Sequence, residues 1–216
     1  ALRDGLQIES PVPLAAKLEL LAASAATGVR QVEATAFVSP SKVPALADAP
    51  ELAAALADYP DIEFSALVAS PNGARRAIAA GFGSLEYVVS ASDGHSRANV
   101  GRSSAEAAAQ IGDIVAITHD AGVSVEVIIS TSWDCPFDGP TPVQRVLDVV
   151  DAACDAGADR IAVADTIGVA VPADVHDRMR RVRAVTGDLR LRAHFHNTRN
   201  TGLANALAAY EEGVRV

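Results

Sequence analysis

The sequence is short of aromatic side chains, cysteine and positive charge. Only 4% of its 216 residues are aromatic while 50% are hydrophobic, so a core has to be built from alanine and aliphatic side chains. That is enough apolar material for one α/β domain, read here as a single domain over residues 1–216. Eighteen Lys and Arg against 27 Asp and Glu leave a formal net charge of -9. A phosphate backbone needs a basic face, so nucleic acid is not an expected partner. No run of about 18 apolar residues lacks charges or turn signals, so no membrane span is expected. The two cysteines, Cys135 and Cys154, do not make a disulfide framework, and a cytoplasmic setting is expected. The ends read as cut. Ala1-Leu2-Arg3-Asp4 begins where a strand should finish, and Gly213-Val214-Arg215-Val216 stops as another begins, so a targeting segment upstream would be invisible.

What is present is a rhythm. Apolar, β-branched runs over 31–38, 62–69, 85–91, 124–131, 160–165 and 191–196 read as strands. Alanine-rich helical patterns over 13–27, 43–58, 71–80, 103–121, 142–156, 172–185 and 200–212 alternate with them. Pro71 and Pro172 stand where a helix's first turn tolerates a missing N–H. Ser103 and Glu106 have the spacing of a capping box. Gly28, Gly81, Gly122, Gly157 and Gly213 each follow a helical stretch, where a left-handed residue ends the helix. Repeated strand–helix units imply parallel strands. With the two cut ends counted, eight strand positions predict an α/β fold, a (β/α)8 TIM barrel truncated in strand 1 and strand 8. An open doubly wound sheet wants a glycine fingerprint after its first strand, and Gly5 alone does not supply it.

Barrel chemistry sits at the C-terminal strand ends. There the sequence places Asp4, Glu33, Asp165, His194 and His196. His-x-His on a strand sends both imidazoles to one face, and with one carboxylate from a distant strand they form a ligand set for a divalent metal. The same parity puts Arg190 and Arg192 on the histidine face without an evident reason. Asp4 also reads as a turn residue. Arg3 reads as a surface charge or as a cation aimed at a developing oxyanion. Glu33 lies inside a strand covered on both sides, so a polar partner is expected for it. Asp165 is divided evenly between capping its loop and orienting a ligand. Cys135 reads as a structural thiol, and His95, His119 and His176 carry no evident role.

These residues together resemble the 3-hydroxy-3-methylglutaryl-CoA lyase family, within the metal-dependent TIM-barrel lyases and Claisen-type synthases. The resemblance rests on Arg3-Asp4-Gly5-Leu6-Gln7, on the run Glu33 to Pro40 with Val43-Pro44, and on Ser96-Arg97-Ala98-Asn99. Cys135-Pro136-Phe137, Asp165-Thr166-Ile167-Gly168 and His194-Phe195-His196-Asn197-Thr198 complete it. It implies that Asp4, His194 and His196 hold Mg2+ or Mn2+. It implies catalytic roles for Arg3 (enolate stabilisation), Glu33, Asp165 and His194, and substrate-side roles for Gln7 and Asn99. A fourth ligand, an asparagine, and a catalytic cysteine in a Gly-Cys-Pro loop are implied past Val216.

The implied reaction is metal-assisted retro-Claisen cleavage of 3-hydroxy-3-methylglutaryl-CoA, giving acetyl-CoA and acetoacetate, by a homodimer. The sequence departs from the family at Ile8-Glu9-Ser10, Ala36, Ala162 and the segment 197–202. These changes spare the implied ligands and make a related 3-hydroxyacyl-CoA an alternative substrate. A Claisen-type acyltransferase condensing acetyl-CoA with a 2-oxo acid, and a non-catalytic barrel binding acyl-CoA or metal, are the other readings.

Overall fold

The computed structural model describes residues 2–215. Ala1 and Val216 lie outside the described residues, and so do the outermost positions of the strands expected at the two ends. Residues 2–8 form turns. The elements then follow as α1 (Leu14–Ala26), β1 (Gln31–Phe37), α2 (Ala49–Ala54), β2 (Glu63–Val68), α3 (Pro71–Ala79) and β3 (Ser84–Ser90). After these come α4 (Asp93–Val100), α5 (Ser104–Ala108), α6 (Ile111–Asp120), β4 (Ser124–Ser130), β5 (Asp134–Cys135) and β6 (Gly139–Pro140). The chain continues with α7 (Val143–Ala156), β7 (Arg160–Asp165), α8 (Pro172–Thr186), β8 (Arg190–Phe195) and α9 (Gly202–Glu211). The strand order is β1-β2-β3-β4-β7-β8, with β5 and β6 as a separate small antiparallel pair.

Two compact units are distinguished, residues 1–87 with 116–125, and residues 88–115 with 126–216. In the first, β1 pairs β2 and β2 pairs β3, all parallel, with Glu33 opposite Ser65 and Leu67 opposite Glu86. Register shifts between Glu33 and Thr35, a local irregularity beside the one acidic residue of β1. Leu21, Leu52, Leu85 and Phe37 are fully buried there, and Phe37 meets Phe82 edge-on at 5.7 Å. Lys17, 2% exposed, is buried with them and donates to the Ala45 carbonyl and to Asp48 Oδ1, each at 2.5 Å.

In the second unit β7 pairs β4 on one side and β8 on the other, again parallel. Every residue of β7 is buried, which is why its sequence reads as a continuous apolar run and does not alternate. Val146, Val150, Val175, Met179 and Val182 line the buried faces of α7 and α8.

Local chemistry explains the boundaries. Ser70 caps α3 by accepting from the Gly73 amide at 3.2 Å, with Pro71 in the first turn. The capping box at α5 is complete, Ser103 Oγ accepting from Glu106 N and Glu106 accepting from Ser103 N. All five glycines expected to end helices have positive φ.

Two long helices predicted from pattern are broken. Residues 43–58 form a 3-10 turn (Pro44–Leu46), α2 and a second 3-10 turn (Leu56–Asp58), because Pro44 and Pro50 each fit only a first turn. The 103–121 stretch divides into α5 and α6. Helix α4 was not predicted: its sequence is polar and only Ser96 is buried. Among the described residues no helix is long and apolar enough to cross a membrane.

Candidate functional site

The first unit builds a cationic bracket. The turn after residue 2 closes with Gln7 N donating to Arg3 O at 3.0 Å, so Arg3 and Gln7 lie one above the other. Arg3 Nε then donates to Glu33 Oε1 at 2.6 Å, and Arg3 Nη1 to Asp4 Oδ1 at 3.2 Å and Gln7 Oε1 at 3.3 Å. Gln7 Nε2 donates back to Asp4 Oδ1 at 3.2 Å. The Arg3 side chain is only 10% exposed, so these charge-assisted bonds act with weak solvent screening. The bracket fixes the plane of the guanidinium through Nε and Nη1 and leaves the Nη2 edge outside these bonds.

Behind the bracket stands a second acid that the sequence reading passed over. Glu86 on β3 is 4% exposed and accepts from Ser65 Oγ at 2.7 Å. Burial first, and then the charge of Glu86, push the Glu33 carboxyl up to about 8, while Arg3 pulls against them. The signal for Glu86 was present: a lone acid between Leu85 and Tyr87 inside an apolar strand, the argument already applied to Glu33.

The second unit presents the imidazoles. His194 lies inside β8 and His196 just past its end, their ring centroids 5.0 Å apart and both residues half-buried. His196 N donates to the Asp165 carbonyl at 3.4 Å, extending the β7–β8 register that sets Asp165 opposite Phe195. Asp165 is 1% exposed. Its carboxylate accepts from Val169 N at 3.1 Å and Ala170 N at 3.0 Å, so it holds the loop that backs the histidines. In that loop Gly168 has φ +66°, and a β-carbon there would stand 2.9 Å from the His196 carbonyl oxygen and 2.6 Å from Thr198 Oγ1. The unexplained arginines also separate: Arg192 donates to the buried Glu126 at 3.2 Å, while Arg190 is exposed.

Other expected residues take plainer positions. Asn99 is exposed on α4. Cys135 is buried, its Sγ accepting from the amides of Phe137 and Asp138 at 3.4 Å each. His95, which the sequence left without a role, shares a short bond with Ser90 Oγ (2.6 Å from Nδ1), and Ser90 Oγ lies 3.0 Å from Ser130 Oγ. Burial lowers the His95 pKa and favours the neutral ring.

The HMGL-like family model matches residues 1–216. The (R)-citramalyl-CoA lyase of Chloroflexus aurantiacus is 37% identical over 224 residues, covering 99% of this chain and 71% of that protein. The crystal structure of an HMG-CoA lyase from Brucella melitensis superposes with a TM-score of 0.93 at 34% identity, over 100% of this chain and 77% of that one. An HMG-CoA lyase from Acinetobacter baumannii, solved with coenzyme A and 3-methylmalate, gives 0.93 at 35% identity, over 99% and 70%. The fold class is therefore the α/β barrel that the strand–helix rhythm predicts, and the chain belongs to the HMGL-like family and is a carbon–carbon lyase within it.

Proposed function

We propose that this lyase cleaves a 3-hydroxyacyl-CoA whose C3 carries a methyl group and a carboxylate-bearing arm, with HMG-CoA and citramalyl-CoA as the two substrates to test first. The observation that carries the reading is the Arg3 bracket. A guanidinium fixed by Glu33, Asp4 and Gln7 is a preorganised cation for an enolate oxygen, and it needs little reorganisation as charge develops. Relatives named for both acyl-CoA types support the substrate class.

Asp4, His194 and His196 are the residues we assign to a divalent cation, each offering one ligand atom. The donor set fits such an ion: a carboxylate and two imidazoles suit Mg2+, Mn2+ or Zn2+ better than a soft metal. The pairing of the two rings on one strand end supports it further. Bound there, the cation would supply positive charge for the substrate's C3 oxygen.

The rest of the chemistry belongs to side chains. The C3 hydroxyl proton leaves for water as the C3–O bond becomes a carbonyl, with His194 guiding the transfer. The C2–C3 bond breaks, and its electron pair moves to C2 and into the thioester as an enolate. Arg3 holds that oxygen through its Nη2 edge. Protonation at C2 completes acetyl-CoA. Asp165 positions the histidines through the loop it closes. HMG-CoA yields acetoacetate, and citramalyl-CoA yields pyruvate.

The test is product release from each acyl-CoA with and without added Mn2+, on wild type and Arg3→Met. Cleavage reduced about 10²–10³-fold in kcat by Arg3→Met is expected, the weight of one oxyanion donor. Release of free CoA thiol from acetyl-CoA plus a 2-oxo acid, with no acyl-CoA cleavage, would assign the chain to acyl transfer. A homodimer is the expected assembly, and sedimentation velocity checks it.

A further inference from the structure

The Arg3 bracket does not end at Glu33. In parallel strands residues in register share a face, so the pairs Glu33–Ser65 and Leu67–Glu86 put Glu33, Ser65 and Glu86 on one side of the sheet. Glu86 lies close enough to Glu33 to act on it through both its charge and a hydrogen bond. Two ionised carboxylates only accept, so that bond needs a proton on one of the two groups. Ser65 Oγ pins the far acid at Glu86 Oε1, and Arg3 Nε pins the near one at Glu33 Oε1. The charged groups facing Glu33 are Arg3 from the N-terminal turn and Glu86 from β3, while β2 faces it with Ser65. The result is a chain from Ser65 through Glu86 and Glu33 to the guanidinium.

We propose that Glu86 is a positioning residue: by sharing one proton with Glu33 and being anchored by Ser65, it locks the Glu33 oxygen on which Arg3 rests, and so sets the angle at which Arg3 meets the substrate's enolate oxygen. The last clause rests on the lyase reading; the lock itself does not. The shared proton also keeps the pair at a single negative charge, so Arg3 stays electrostatically available to a third anion. Two full negative charges behind it would hold the guanidinium more tightly and compete with the enolate.

The experiment uses the full chain with 13C-labelled glutamate carboxyls and 15N-labelled arginine, in wild type, Glu86→Gln and Ser65→Ala, with Glu33→Gln to assign the resonance. In wild type the Glu33 carboxyl should titrate on the alkaline side of neutrality. In Glu86→Gln its midpoint should fall by about one unit or more, as expected when a like charge is removed. Exchange of the Arg3 Nε–H should quicken about tenfold, the signature of a loosened charge-assisted bond. Ser65→Ala should move both readouts the same way by less, and it carries the test alone if Glu86→Gln does not fold.

An unmoved Arg3 Nε–H exchange rate in both variants overturns the proposal, even if activity drops. Where acyl-CoA cleavage is present, Glu86→Gln should lower kcat about 10-fold or more with KM held within about threefold, because misaimed Arg3 acts on the transition state. A drop confined to KM overturns the positioning role. If both NMR readouts move and wild type cleaves no acyl-CoA, the lock stands and the lyase substrate is what fails.

Discussion

Gly168 provides a quantitative test of how the loop after β7 supports the histidines, because Gly157 supplies an internal control. Both have positive φ, +66° at Gly168 and +84° at Gly157. An added methyl at Gly157 meets nothing within 4 Å, whereas at Gly168 it meets Thr198 Oγ1 at 2.6 Å and the His196 carbonyl at 2.9 Å. Gly157→Ala should therefore cost only the left-handed penalty, about 1–2 kcal/mol. Gly168→Ala carries the same penalty plus overpacking of about 1–3 kcal/mol. Thr198 can rotate away, but the His196 carbonyl is backbone and has to shift. That shift moves the strand end bearing both imidazoles, so Mn2+ affinity should also weaken, by about tenfold. Urea unfolding of the two variants gives the stability difference, and calorimetric Mn2+ titration gives the affinity. Equal losses in the two variants, or unchanged Mn2+ affinity in Gly168→Ala, would refute the reasoning.

Other outcomes follow from single contacts. His196→Ala should abolish measurable Mn2+ binding in the same titration while leaving the unfolding midpoint close to wild type, since His196 is only half-buried. Asp48→Asn should destabilise by about 2–3 kcal/mol, short of the full cost of an uncompensated buried charge because Asp48 is 27% exposed. Lys17→Met should cost less than that, and a larger loss for Lys17→Met in urea unfolding would invert the argument. Because Glu33 is raised from 4.5 to about 8, the folded state holds more protons than the unfolded one between those values. Stability should accordingly fall as pH rises through that window, by up to about 1.4 kcal/mol per pH unit. Glu33→Gln should remove that component from a series of urea melts, and an unchanged slope would count against the raised carboxyl. Ser70→Ala, which strips the cap of α3, should cost about 1 kcal/mol by the same method.

The sequence by itself determined the elements whose signals are local. Strands β1, β2, β3, β4, β7 and β8 fall within a residue or two of the apolar, β-branched runs, because such a run is itself a local strand signal, most plainly in β7, which is buried throughout. The α5 capping box and the glycines closing helices were legible for the same reason: the groups involved lie within a few residues of one another. His-x-His was legible because strand parity alone puts both rings on one side.

The tertiary structure decided whatever depends on partners far apart in the chain. Glu33 as a strand acid was visible, but its bond to Arg3 spans 30 residues, and its nearness to Glu86 depends on strand register. Asp165 had two equal readings until the amides of Val169 and Ala170 gave it the loop. Arg192 had none until Glu126, 66 residues away, accepted its bond. Helix α4 escaped for the converse reason: with one buried residue in eight it carries no apolar period, and its helical state depends on the contacts around it. Backbone preference and apolar period are written in neighbouring residues, whereas a buried charge is placed only when folding brings its counter-charge within reach.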